Sequence, residues 1–154
     1  MTVAYQNAIN GRVYNLLQLG KGYTVAYDNA PFVVPENQTW FSVEIHDGIV
    51  GRTSLGPTFN ERSVGTVFFT IYSPKSTGSD PARKVADDII AAFRSVQFAT
   101  SNGIITFYNP TVKRVGEAYA SGAGSAISAT VASTQWYQLI VQVPFKHDEV
   151  VSVA

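Results

Sequence analysis

Two segments of the chain repeat apolar side chains every three or four positions, a spacing that predicts amphipathic helices. The first segment covers residues 3–17, and its stripe is Tyr5, Ala8, Ile9, Val13, Leu16 and Leu17. The second begins near Asp80, and its stripe is Ala82, Val85, Ala86, Ile89, Ile90 and Phe93. Asp80 can cap the second helix, and Pro81 suits its first turn, where a missing N–H has no cost.

Other segments are extended or alternate apolar with polar positions, a pattern typical of half-buried strands. The predicted strands are residues 23–28, 40–46, 64–72, 103–109, 111–119 and 136–145. Pro144 cannot donate to a strand ladder, so we expect the last strand to end at a sheet edge or exit. Two helices and five or six strands predict an α+β fold. A mainly antiparallel mixed sheet would carry both helices on one face, with extended loops between elements.

Two segments lack a regular pattern. Residues 47–65 hold four glycines, the last of them Gly65, and one proline, which predicts a long linker. The Ala/Ser/Gly-rich residues at about 118–133 lack the bulk of a core segment and are typical of a flexible arm. The length of 154 residues suits one domain, 1–154, that includes this arm.

The charged residues are few and unevenly distributed. Eleven basic and eleven acidic residues cancel, so no overall field attracts nucleic acid or an anionic membrane. Charged residues make up 14% of the chain, and residues 118–145 contain none. Contact surfaces are depleted of charge, so we interpret this region as partly covered by another chain. The sequence shows neither a signal peptide nor a membrane span, which predicts a soluble protein.

Candidate catalytic patterns do not form a site. The loop around Lys75 and Gly78 lacks the G-x-x-x-x-G-K-[ST] order that cradles phosphate. His46-Asp47 and His147-Asp148 are adjacent pairs at predicted strand ends, where neighbouring side chains point to opposite faces. Asp87 and Asp88 are interpreted as a solvated helix face. We therefore predict no enzyme activity, no cofactor and no metal site, and a chain without cysteine has no thiolate ligand.

The order of four longer motifs resembles the tail terminator-like family of tailed bacteriophages. These motifs are TWFSVEIHDG, GRTSLGP, RSVGTVFFTIYSPKSTGSDPARKVADDIIAAFRS and WYQLIVQVPFKHDE. The resemblance implies an α+β subunit of a ring, typically a hexamer, at the head-proximal end of the tail tube. Such a ring stops tube growth and presents a surface for joining the head. Its partners would be further copies of itself, the tube protein and neck or connector proteins.

The same resemblance implies a place in the virion tail or neck, after assembly in the host cytoplasm. DNA would pass through the ring without sequence-specific binding. Another neck, connector or tail-completion protein of similar fold remains an alternative. A small hydrolase, a nucleotide-binding domain and a nucleic-acid-binding module are disfavoured by the missing site and the zero net charge.

A ring needs two different, complementary patches on each subunit. Residues 47–62 and 118–133 are the predicted patches, because both are rich in breakers or free of charge. The predicted interface residues are Arg52, Leu55, Phe59, Arg62, Ile127 and Val131. Arginine and aromatic side chains contribute most of the binding energy in many interfaces.

Overall fold

The computed structural model describes residues 2–74, 78–118 and 136–152. Two helices and seven strands make up this part of the chain, and the predicted α+β class is confirmed. The helices are α1 (Thr2–Val13), which continues as a π-helical segment (Tyr14–Leu19), and α2 (Asp80–Phe93). The strands are β1 (Thr24–Tyr27), β2 (Trp40–Arg52), β3 (Thr58–Pro74), β4 (Gln97–Ala99), β5 (Gly103–Phe107), β6 (Thr111–Ala118) and β7 (Trp136–Ser152).

All seven strands form one mixed sheet. Six follow the order β1-β2-β3-β7-β5-β4, and β6 pairs with β7 outside this order. β1 runs parallel to β2, and the other pairs are antiparallel. β3 and β7 pair along their whole lengths, from Thr58 opposite Ser152 to Pro74 opposite Trp136. On its other side β7 pairs first with β6 and then with β5. The β3–β7 pair is therefore the longest pair of strands and the centre of the sheet.

Both helices pack against one face of the sheet. In α1 the buried side chains Tyr5, Ile9, Val13 and Leu17 recur every four residues, whereas the predicted stripe member Leu16 is exposed. The α2 stripe is buried except for Ile90, which is half-buried. Both helices contact the odd-numbered side chains of β3 and β7, such as Val67, Phe69 and Val141, and with them form the main core.

A smaller aromatic cluster occupies one end of the opposite face. Trp40 stacks on Tyr72 with ring centroids 4.3 Å apart, and Trp136 meets Trp40 edge-on at 6.1 Å. Phe32 and Val34, from the connection between β1 and β2, cover the cluster. The prolines of that connection keep it extended, so it can lie across the sheet.

The prediction of a linker at residues 47–65 is wrong. β2 continues to Arg52 and β3 begins at Thr58, so these residues form the outer half of a long hairpin with a turn at 53–57. A bulge between Asp47 and Val50 places one extra residue in β2. Glycine fits this segment because a Cβ on Gly48 would lie 2.7 Å from the carbonyl oxygen of Val64. The glycines therefore allow close strand approach rather than breaking the strand.

The expectation that the last strand ends near Pro144 is also wrong, because β7 continues to Ser152. The carbonyl of Pro144 accepts a hydrogen bond from the N–H of Tyr108, which lies between β5 and β6. The N–H and C=O groups of a strand residue point to the same side. The donor that Pro144 lacks would therefore face the gap between β6 and β5, where no ladder continues.

The start of α2 differs from prediction by one residue. Ser79 occupies the N-cap position and its carbonyl accepts from the N–H of Arg83, at 3.0 Å. Ser79 makes no side-chain cap hydrogen bond, and Asp80 is the first helical residue. Its carboxylate lies in the first turn, where a negative charge interacts favourably with the helix dipole.

Candidate functional site

The outer half of the β2–β3 hairpin forms one end of the molecule. The turn at 53–57 is tied by hydrogen bonds from the N–H and hydroxyl of Thr53 to the carbonyl of Asn60, at 2.8 and 3.2 Å. Leu55, in this turn, is 89% exposed. An exposed leucine at a tip contributes nothing to the core, so it is free to meet another chain.

Arg52 and Phe59 form a contact within the subunit. The Arg52 guanidinium carbon lies 3.7 Å from the centre of the Phe59 ring, and Phe59 is only 8% exposed. Stacking of this kind is worth about 0.5–1 kcal/mol at exposed sites. Of these two predicted interface residues, Arg52 presents the accessible surface.

Arg62 pairs with Asp148 across the β3–β7 ladder. Its Nε and one Nη donate to the two carboxylate oxygens at 2.7 and 3.2 Å. These hydrogen bonds lower the pKa of Asp148, and Lys146 adds a weaker ionic contact at 3.7 Å. Both side chains are more than one-third exposed, so the pair adds little to stability.

Exposed aliphatic side chains surround this end, and the sequence reasoning did not select them. Ile49 is 79% exposed, Val50 48% and Val150 67%. The uncharged stretch Gly48–Gly51 carries the first two and was a signal for them. Together with Leu55 they make part of the exposed surface at the hairpin end apolar.

The second predicted patch, 118–133, begins at the other end of the β3–β7 pair. Ala118 and Trp136, which flank residues 119–135, are paired across the β6–β7 ladder. Residues 119–135, including Ile127 and Val131, lie outside the described residues. The two described residues that border this stretch therefore lie side by side, remote from the hairpin turn. Seventeen-residue strands separate the two ends by roughly 55 Å.

A family model described as phage tail terminator protein matches residues 5–145. The chain belongs to the phage tail terminator family. It is therefore a structural tail protein of a phage type, in agreement with the resemblance of its motifs.

Comparison with solved structures supports the fold of this phage tail terminator family member. One chain, whose title describes no function, is 15% identical, with a TM-score of 0.58. The alignment covers 92% of the present chain and 94% of that one. A chain in the structure titled "Virion of native gene transfer agent (GTA) particle" is 16% identical, with a TM-score of 0.55 and 97% coverage of both chains. No curated protein sequence matches significantly.

The candidate catalytic residues of this terminator family member are separated by the fold. His46 is exposed on β2 beside Glu44 at 3.5 Å, whereas His147 is buried within β7 and contacts Thr100. Both histidines lie inside strands rather than at strand ends. Among residues 2–74, 78–118 and 136–152, no three His, Asp or Glu side chains are grouped to hold a metal ion.

The remaining candidates are structural or undescribed. Asp87 is exposed as predicted, but Asp88 is half-buried and accepts a hydrogen bond from the Tyr23 hydroxyl. Asp88 therefore joins α2 to the segment before β1. Residues 75–77 of the suspected phosphate loop lie outside the described residues. Within the described part of the chain, no helix is long and apolar enough to cross a membrane.

Proposed function

We propose that this protein is a tail terminator that forms a ring, typically a hexamer, at the head-proximal end of a phage tail tube. The family match over residues 5–145 carries the proposal. The ring stops tube polymerisation and provides the surface on which the head is joined. Its partners are further copies of itself, the tube protein and neck or connector proteins, and DNA passes through the lumen without sequence-specific binding.

The shape of the subunit supports such a role. Its two candidate contact regions, the hairpin end and the 118–133 arm, leave opposite ends of the β3–β7 pair. Two different patches on one subunit are what a head-to-tail ring requires. The similarity to a chain from a gene transfer agent virion supports placement in a virion particle.

The proposed interface residues can be ranked by how much of each side chain is exposed for contact with another chain. Leu55 is the strongest at the hairpin end, because its side chain is almost wholly exposed. Arg52 presents a guanidinium already held on Phe59, so little entropy is lost when it binds. Arg62 offers the ion pair with Asp148, which gains strength if a neighbour excludes water. Ile127 and Val131 are proposed for the arm.

A phage lacking this gene tests the proposal. We expect lysates with full heads and unjoined tails of uncontrolled length, visible by negative-stain electron microscopy. Adding the purified protein to tubes of normal length should restore joining and infectivity. Tails of normal length that join heads without the protein would contradict the proposal.

A labelled protein tests its position. Gold label directed to a C-terminal tag should lie at the neck of intact virions, and isolated assemblies should show a central hole. Label at the distal tip of the tail would place the protein in another role.

A further inference from the structure

Besides the outer edges of the short end strands β1 and β4, two stretches of strand edge have no partner among the described residues. β1 covers only residues 40–43 on the outer side of β2, which leaves the outer side of residues 44–52 unpaired. β6 pairs with β7 alone, and its residues 111–114 are exposed. An unpaired edge presents a row of N–H and C=O groups that can bind another strand.

The hydrogen-bond pattern identifies the outward-facing groups on β6. Because Tyr108 donates to the carbonyl of Pro144, even-numbered residues of β7 face the side that carries β5 and β6. Gln142 and Ile140 therefore bond to their partners Thr111 and Lys113. The N–H and C=O groups of Val112 and Arg114 alternate with these. They lie in the plane of the sheet and point away from β7, toward the open edge.

The same reasoning applies to β2. Thr53 donates to Asn60, so the even-numbered residues of β3 face β2. Before the bulge, the partners of Thr66 and Phe68 are His46 and Glu44, which leaves Ile45 and Asp47 facing outward. The two edges therefore hold unpaired backbone groups on opposite sides of the sheet.

The two edges carry opposite net charges, +1 on β6 from Lys113, Arg114 and Glu117, and −1 on residues 44–52 from Glu44, Asp47 and Arg52. β6 has the exposed cations Lys113 and Arg114. The open stretch of β2 begins with Glu44 and Asp47, and Asp28 lines the same cleft as Asp47, beside α1. A basic edge and an acidic edge attract each other, whereas two edges of the same charge repel each other.

Strand directions also match. From β2 through β3 and β7 to β6, each strand is antiparallel to the one before it. With four alternating strands, β6 of one copy lies antiparallel to β2 of the next copy in the same orientation, and the helix-bearing faces stay together. The open edges are staggered along β3 and β7, and a stagger between strands is what a closing sheet requires.

We propose that copies of this chain associate by pairing the outer edge of β6 on one copy with the outer edge of β2, residues 44–52, on the next. This inference rests on the proposed ring and names the contact that closes it. Lys113 and Arg114 lie against the acidic residues Glu44 and Asp47, and the sheet continues from subunit to subunit.

Val112→Pro in the full-length protein tests the backbone contact. Proline removes an outward N–H but leaves the bonds of Thr111 and Lys113 to β7 intact. Val112→Ala is the control, because it shortens the apolar side chain and keeps the N–H. By sedimentation velocity over a concentration series, we expect the proline variant to associate about tenfold more weakly or more. The alanine variant should stay close to wild type, and circular dichroism verifies that each is folded.

Charge reversal tests the pairing independently of any proline effect. Arg114→Glu and Asp47→Lys should each weaken association, and the double variant should recover much of the loss. A double variant as weak as the sum of both single changes would overturn the inference.

The outcomes separate the edge contact from the ring. Rings that form normally with Val112→Pro and with both charge variants would overturn the edge contact and leave the terminator ring standing. A wild-type chain that forms no ring at any concentration, even with tubes added, would overturn both.

Discussion

His147 is a buried imidazole on the helix-bearing face of β7. Its Nε2 lies 2.7 Å from the hydroxyl of Thr100, and burial lowers its pKa from the usual 6.5. The unfolded chain therefore takes up a proton near pH 6.5 while the native protein does not. Stability is fully present above that pH and falls as the pH decreases, by up to about 1.4 kcal/mol per pH unit. Urea unfolding between pH 7.5 and 5 measures this slope.

Two histidine-to-glutamine substitutions are the matched variants for this experiment. His147→Gln removes the titrating group and should flatten the slope, while His46→Gln, at a histidine whose side chain is 58% exposed, is the matched control. The pKa of Asp148 is lowered below its ordinary 3.8, so this carboxylate does not titrate in that range. A slope that persists in His147→Gln would assign the effect to another group.

The two apolar residues proposed for the hairpin end should respond differently to substitution. Phe59→Ser removes a buried ring from beneath Arg52 and should lower the free energy of unfolding by about 2 kcal/mol or more. Leu55→Ser changes an exposed side chain and should alter stability by less than about 0.5 kcal/mol while it weakens assembly. Thermal unfolding and sedimentation measure the two effects. Equal stability losses would show that Leu55 is part of the core.

At this scale the sequence predicts residue types better than residue contacts. Leu55 was selected in a segment rich in glycine, and the fold leaves it exposed. The partner of Arg62 is Asp148, 86 positions away, and only the β3–β7 register brings them together. The burial of Phe59 likewise depends on a strand that the local pattern did not predict.

Among the elements, α2 shows what local pattern can establish. Its stripe lies within one helix, so the periodicity alone located its buried face. The outer part of the β2–β3 hairpin has glycines, a bulge and exposed side chains on both faces, and therefore lacks the alternation that predicts a strand. The far part of β7 was missed because buried His147 and Glu149 occupy positions where apolar residues are expected.

Two glycines in different elements should respond oppositely to alanine. A Cβ on Gly103 would lie 2.1 Å from the carbonyl oxygen of Asp148, so Gly103→Ala should push β5 from β7 and cost about 1–3 kcal/mol. Gly11, within α1, has no such neighbour within 4 Å, and Gly11→Ala should add up to about 1 kcal/mol of stability. Chemical unfolding of both variants measures the two changes in the free energy of unfolding. A stable Gly103→Ala protein would show that the ladder shifts without cost.

For the whole molecule, the separation of the two contact regions predicts that folding and assembly can be separated. Ala118 and Trp136 are paired across β6 and β7, so a two-residue Asn-Gly turn can replace residues 119–135 without changing the ladder. The melting temperature should then stay within a few degrees of wild type, because every described side chain of the main core is kept. Replacing 53–57 with a matched short turn is the control at the opposite end.

The two shortened proteins distinguish the roles of the two ends. If the 118–133 arm contacts a neighbouring subunit or the tube, its removal abolishes head joining in extracts while the subunit remains folded. Loss of the hairpin turn, which carries Leu55, should weaken association while leaving the edges of β2 and β6 able to pair. Full joining activity after removal of residues 119–135 would exclude the arm from assembly and leave the hairpin end and the strand edges as the contact surfaces.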